Sequence, residues 1–146
     1  MAEELNYNEL SDEIVQKLRS EWSIILATCA NDKVTARAVC HVNDGLTIMF
    51  STNEGSEKVE QMKQNPNVAL AVGNIRIEAT AEIVGNAENY PSFIEEYRKK
   101  FPEFGGLYGN DYYLIIAKPT KISLYKYIDG PREDVLNINT KTSYRI

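Results

Sequence analysis

The stretch WSIILATCANDKVTARAVCHVNDGLTIMFST, residues 22–52, decides the fold. Apolar and β-branched residues fill Trp22 to Cys29, Val34 to Val42 and Leu46 to Thr52, and the breaks at Asn31-Asp32 and Asn43-Asp44-Gly45 carry residues that tight turns demand. The pattern predicts an antiparallel meander of three strands. If the first hairpin turns about Asn31-Asp32-Lys33, Cys29 faces about Thr35 and Cys40 about Ile24, too far apart along the ladder to bridge. Both cysteines read as reduced, small core residues, with a reactive thiol as the alternative.

Outward from the meander, residues from Ser11 or Asp12 to Arg19 place Ile14, Val15 and Leu18 at helical spacing. After Thr52 a second helix begins near Asn53 to Ser56 and is stopped by Asn65-Pro66. Val68 to Val72 and Ile75 to Val84 read as strands; in the latter Ile75, Ile77, Ala79, Ala81 and Ile83 alternate with Arg76, Glu78, Thr80 and Glu82, so one face is buried. Pro91 opens a helix with Phe93, Tyr97 and Phe101 at four-residue steps, an aromatic stripe that packs on the sheet, and Pro102 ends it. Tyr112 to Tyr127 is a long strand in which Pro119, lacking an amide donor, marks a bend or an edge. Asp129 to Ile146 carries no clear pattern; it either wraps a partner subunit or hangs free. The sum is a single domain over residues 1–146, mainly β: an antiparallel barrel of five or six strands with helical insertions.

The chain has 146 residues, of which 43% are hydrophobic and 25% charged, the composition of a chain that folds. A net charge of -5, with no basic run longer than Arg98-Lys99-Lys100, argues against a broad nucleic-acid surface. The acidic, amphipathic start lacks the pattern of a secretion signal and no stretch reaches membrane-spanning length, so the expected address is the cytoplasm, with no membrane partner. A single histidine, His41, and the absence of CxxC or HExxH spacing leave metal chemistry little support. No GxGxxG follows a strand, no P-loop occurs, and Gly105-Gly106 is an isolated pair in a loop.

Chemistry concentrates in FSTNEGSEK, residues 50–58. Alternation along the second strand puts Val34, Ala36, Ala38, Cys40 and Val42 on a small-residue core face, and Thr35, Arg37, Val39 and His41 on the other, lining a groove. Ser51 and Thr52 arrive at the mouth of the next turn, where free amides and the partial positive charge of a helix start attract an anion. Lys58 lies in that helix's first turn, where the dipole disfavours a cation unless something negative offsets it. Two readings stand side by side: a phosphate held by Arg37, Ser51, Thr52, Ser56 and Lys58, or a plain cap at Thr52 or Asn53 with a Glu54–Lys58 helix pair. His41 reads as an interface or surface residue rather than a catalyst, since no nucleophile arrangement surrounds it.

With these residues in hand, the order of TARAV on the second strand, F-S-T followed by G-S-x-K-V-x-Q-M and N-P-x-V-A-L, then I-E-A-T-A-E-I-V and a late Y-x-x-K-P-T-K-I-S-L-Y strand resembles the pyridoxamine 5'-phosphate oxidase-like FMN-binding split barrels. The resemblance covers about residues 8–127. It implies a six-stranded antiparallel split barrel and an FMN cofactor whose contacts match Arg37, Ala38, Val39, Phe50, Ser51, Thr52, Ser56 and Lys58. It also implies a homodimer with the cofactor site at the interface, and two-electron transfer between a reduced partner such as a nicotinamide and a small acceptor. True oxidases of the family carry an arginine- and histidine-containing C-terminal segment; the ending DGPREDVLNINTKTSYRI has no histidine, so the resemblance points to the compact relatives. The other readings are a module that carries flavin, haem or a deazaflavin without turnover, with His41 as the one histidine for a haem axial position, and a ligand-free structural dimer.

Overall fold

Asn31 and Asp32 both adopt positive φ, 51° and 62°, the left-handed geometry that Asn and Asp tolerate and that a two-residue hairpin requires. In the computed structural model, which describes residues 2–103 and 111–146, the chain runs β1 (Glu3–Glu4), α1 (Tyr7–Ser20), β2 (Ser23–Ala30), β3 (Lys33–Cys40), β4 (Val42–Asp44), β5 (Thr47–Asn53), α2 (Glu57–Gln64), β6 (Asn67–Val72) and β7 (Ile75–Asn86). A 3-10 turn (Ala87–Asn89), α3 (Pro91–Lys100), β8 (Tyr112–Tyr127), β9 (Pro131–Asn137) and β10 (Thr142–Arg145) follow. Gly105-Gly106 lies outside the described residues.

All strands join one antiparallel sheet in the order β1-β10-β9-β8-β7-β6-β2-β3, with β5 added to β8 and β4 to β5. The described strands number ten, more than the five or six expected, because β4 separates from the predicted second strand and β1 and the C-terminal pair gave no sequence pattern. The expected meander is also interrupted. The second predicted strand breaks at His41 into β3, which pairs with β2, and β4, which pairs with β5; β3 and β5 share no ladder.

β8 organises the barrel. One of its edges pairs with β7 along most of its length, while the other is divided: Tyr112 to Ala117 take β5, and Lys121 to Tyr127 take β9. Pro119 sits between the two halves, where its missing amide donor leaves neither ladder short, and the register against β7 shifts there, between Glu78 and Ala79. A second shift between Ile83 and Gly85 uses a glycine at φ 128°, a conformation closed to other residues.

The alternation in β7 holds: Ile75, Ile77, Ala79 and Ala81 are buried and Arg76, Glu78, Thr80 and Glu82 are exposed. They join Leu10, Ile14 and Leu18 of α1, Ile24 and Leu26 of β2, Phe50 of β5 and Ile115 and Ile122 of β8 in the main core. α1 begins four or five residues before the expected start because Asn6 caps it, accepting from the Glu9 amide at 2.9 Å, and Leu10 extends the buried stripe. Phe93, Tyr97 and Phe101 form a second cluster with Val42, Ala87 and Leu114, so the aromatic stripe of α3 packs on the sheet as expected.

Two expectations about β3 are overturned. The first hairpin turns on two residues, with Ala30 opposite Lys33, so Cys29 faces Val34 and Cys40 faces Ser23, one position from the expected register. Both thiols are free and half-buried rather than core residues, and burial raises the Cys40 thiol, which disfavours a reactive thiolate. The faces of β3 are also reversed. Thr35, Arg37 and Val39 stand opposite Thr28, Leu26 and Ile24, all buried, whereas Val34 is 69% exposed and Ala36 and Ala38 point outward beside the exposed Ile25. The interior side of β3 is the polar one because α2 packs over it and supplies partners.

The segment from Asp129 to Ile146 neither hangs free nor lacks structure: β9 and β10 form a hairpin that continues the sheet from β8 to β1. Its anchor is Asp134, 1% exposed, which accepts from Arg145 Nε and Nη2 at 2.7 and 3.1 Å and from Lys126 Nζ at 2.9 Å. Lys126 in turn reaches Glu13 of α1 at 3.0 Å, and Arg145 lies 3.8 Å from Glu3 of β1. Burial alone would raise the Asp134 carboxyl, but hydrogen bonds and charge from Arg145 and Lys126 outweigh it and hold it below the usual carboxylate range.

Candidate functional site

Near the end of strand β5 stands Thr52, 4% exposed, whose Oγ1 lies 3.4 Å from Ser56 Oγ across the turn. Asn53 closes that turn by accepting from the Gly55 amide at 2.9 Å. Ser56 is then the N-cap residue of α2, yet its side chain makes no cap hydrogen bond, and Glu57 opens the helix. The helix thus starts one residue past the expected window, and the cap is neither Thr52 nor Asn53. Its N-terminal amides have no side-chain cap from Ser56. Among the described residues Glu54 and Lys58 form no ion pair, so the plain helix-pair reading is not what the fold builds.

Arg37 reaches this end of α2 from the interior face of β3. Its Nη1 donates to Thr28 Oγ1 at 2.7 Å and its Nη2 to Thr35 Oγ1 at 2.5 Å, and Nη2 also pairs with Glu57 at 4.0 Å. Glu57 is engaged by Lys33 at 3.1 Å. Lys58 is half-buried and its ammonium is pushed below the usual lysine range, first by burial and then by the Arg37 charge. Arg37 is likewise lowered by burial, with Glu57 opposing. Lys58 thus feels the Arg37 charge near the helix start. Arg37, Lys58 and Lys33 against Glu57 leave three positive charges and one negative, a surplus of two. The donor set fits a phosphate dianion in charge and in type, since hydroxyls, amides, an ammonium and a guanidinium all donate to phosphate oxygens.

The structure brings Arg37, Thr52, Ser56 and Lys58 to the start of α2, and sets the remaining predicted contacts apart. Phe50 is fully buried in the main core, Val39 is 9% exposed behind Ile24, and Ala38 faces outward. The side chain of Ser51 lies on the opposite face of β5 from Thr52. Thr28, Thr35 and Gln61 join the site, the last accepting from both threonines at 2.5 and 2.6 Å. Of these only Thr35 carries a sequence signal, through its shared face with Arg37. A cleft of about 430 Å³ opens on the outer side of the sheet, lined among others by Ala27, Cys29, Val34, Ala69 and Glu78. Thr28 also lines it, but neither Arg37 nor Lys58 does.

His41 is not a surface or interface residue. It is fully buried where β3 breaks, its Nε2 3.1 Å from the Leu18 carbonyl at the end of α1, and Lys100 Nζ donates to its backbone oxygen at 2.8 Å. The bond to a carbonyl makes Nε2 the protonated nitrogen and leaves Nδ1 buried without a partner. Burial, then the Lys100 charge, lowers the imidazole to about 4, with the Leu18 bond opposing. The unfolded chain takes up this proton below pH ~6.5 while the folded one does not until pH ~4, so stability is full above the first value and falls toward the second. We expect a loss of about 3 kcal/mol across that window, at 1.36 kcal/mol per pH unit. Urea unfolding of the protein and of His41→Gln at both ends of the window checks this: the variant should lose distinctly less, and equal losses would refute it.

With this geometry described, comparison with known proteins is informative. Over 92 residues, 60% of this chain, the sequence is 34% identical to the pyridoxine/pyridoxamine 5'-phosphate oxidase of Ehrlichia chaffeensis, and the match spans 45% of that longer protein. ChuZ of Campylobacter jejuni is similar in fold, with a TM-score of 0.74, 20% identity and coverage of 95% of this chain and 63% of that one. HutZ, the heme storage protein from Vibrio cholerae, gives a TM-score of 0.60 at 17% identity, covering 79% of this chain and 91% of that one. These likenesses establish a split-barrel fold. A sequence profile described as pyridoxamine 5'-phosphate oxidase matches residues 10–126, most of the chain, and on that match the protein belongs to the pyridoxamine 5'-phosphate oxidase family.

Proposed function

We propose that the protein binds flavin mononucleotide through its phosphate at the start of α2 and serves as a flavin-dependent oxidoreductase on a small substrate. The observation that carries this reading is the gathering of Arg37, Lys58, Thr52 and Ser56 at the start of α2, with Glu57 paired to Arg37 at 4.0 Å and to Lys33 at 3.1 Å and a formal surplus of two positive charges left in the cluster. Left to themselves, two half-buried cations repel; a dianion between them removes the penalty. In this reading Arg37 and Lys58 hold the phosphate, Thr52 and Ser56 offer hydroxyls, and Lys33 competes with Arg37 for Glu57. A bound flavin would supply hydride or one-electron transfer, the chain supplying position and polarity.

The small, outward-facing residues Ala36, Ala38 and Ala71 beside Ile25 and Val34 form an apolar sheet face, which we assign to a second copy of the chain, so that the ring environment is completed across a homodimer interface. A haem reading, which the likeness to HutZ raises, would need an axial ligand other than His41, the single histidine, which is sealed beneath α1 and already engaged by Leu18.

The test is a comparison of FMN with riboflavin, which differ by the phosphate alone. Fluorescence titration of the flavin-free protein should show FMN bound at least roughly tenfold more tightly than riboflavin, as charge-assisted contacts contribute about 1.5–3 kcal/mol. Equal affinities, or no uptake of either, would remove the reading.

A further inference from the structure

Gln61 is 5% exposed, an uncommon placement for an amide side chain on a short helix that otherwise buries Val59 and Met62. Its orientation is fixed by its surroundings. Nε2 donates to the Lys33 carbonyl at 3.3 Å, and the reversed amide would set two oxygens against each other there, so Oε1 faces the threonines. That oxygen sits 2.5 Å from Thr28 Oγ1 and 2.6 Å from Thr35 Oγ1.

Each threonine hydroxyl has one proton. When both protons point to Gln61 Oε1, each hydroxyl oxygen is left with lone pairs alone, and the 3.2 Å approach between the two oxygens holds no proton. A guanidinium has donors alone, and Arg37 donates to these two oxygens, Nη1 at 2.7 Å to Thr28 and Nη2 at 2.5 Å to Thr35. Proton direction is thereby set through the whole chain of bonds, from Arg37 through the threonines to the amide. The acceptors are neutral, which matters: a carboxylate in the same place would hold Arg37 equally well but cancel the charge that an anion needs.

We propose that Gln61 is a positioning residue, which polarises Thr28 and Thr35 into a two-oxygen cradle that fixes the Arg37 guanidinium toward a bound phosphate without adding a negative charge to that of Glu57. The inference rests on the phosphate reading above and adds to it a residue that touches no ligand.

A double-mutant cycle on FMN and riboflavin affinity tests it, with Gln61→Leu, Arg37→Ala and the pair. Gln61→Leu is expected to weaken FMN roughly fivefold, the scale of one net hydrogen bond, and to leave riboflavin unmoved. In the Arg37→Ala background it should have no further effect, because its influence passes through Arg37. Thr35→Val should reproduce Gln61→Leu and Thr35→Ser should restore normal affinity, a pair that keeps the test open if Gln61→Leu folds poorly. An undiminished Gln61→Leu effect in the Arg37→Ala background, or normal FMN binding in Gln61→Leu and Thr35→Val while Arg37→Ala is impaired, would overturn the inference alone. Unchanged FMN affinity in Arg37→Ala would overturn the phosphate reading, and this one with it.

Discussion

Replacing Asp134 with alanine is expected to lower the unfolding free energy by about 3 kcal/mol, the lower end of the range for breaking a buried ion pair. The carboxylate is 1% exposed and receives three short bonds, two from Arg145 and one from Lys126. Its removal leaves two cations inside the hairpin junction. They retain Glu13 and Glu3 as partners toward the surface, which keeps the loss from the upper end of the range. In a chain of this size the change corresponds to a fall in Tm of roughly 10 °C. Asp134→Asn, which keeps the shape and part of the hydrogen bonding, should lose less. Urea unfolding of the three proteins provides the measurement, and a change below about 1 kcal/mol in the alanine variant would mean that the hairpin is held by apolar burial instead.

Lys58→Met should separate binding from stability. The ammonium is half-buried beside Arg37, so removing it relieves a like-charge repulsion while methionine keeps the stem's packing. FMN affinity is expected to fall by between roughly tenfold and a hundredfold, one charge-assisted contact being lost. The flavin-free variant should unfold at the same temperature as the parent protein or a few degrees higher, in the manner of sites whose ligand requirement conflicts with stability. Titration and thermal melts on the same samples are sufficient. A variant that binds FMN normally, or one that is destabilised without ligand, would show that Lys58 is an ordinary structural lysine.

Sequence alone made much of this legible, and the exceptions have physical causes. The alternation of β7, the aromatic stripe of α3 and the bend at Pro119 were readable because one residue type changes with the expected period or cannot donate to a ladder. β3 was readable as a strand but not in its orientation: alanines and valine lie on one side, threonine and arginine on the other, and the polar side turned inward because α2 brings Gln61 and Glu57 to meet it. β9 was hidden because Asp134, Val135 and Leu136 are buried in succession, so the period of two is lost, and the charge that seems to forbid burial is matched by Lys126 and Arg145 on neighbouring strands. In the site, Arg37, Thr52, Ser56 and Lys58 lay close to a recognisable turn, whereas Thr28 and Gln61 enter through register and helix packing, which no short motif records.

The position of β3 at the end of the sheet has a further consequence. Among the described residues it is hydrogen-bonded along one side alone, and its outward residues Val34, Ala36 and Ala38 include neither proline nor charge, so the guard against templated polymerisation is confined to the exposed Lys33 at the strand's start. Left uncovered, this edge would be a nucleus for disordered association. For the homodimer proposed above, substitutions that dissociate it should therefore be recognised by turbidity and loss of yield before any change in the fold is seen.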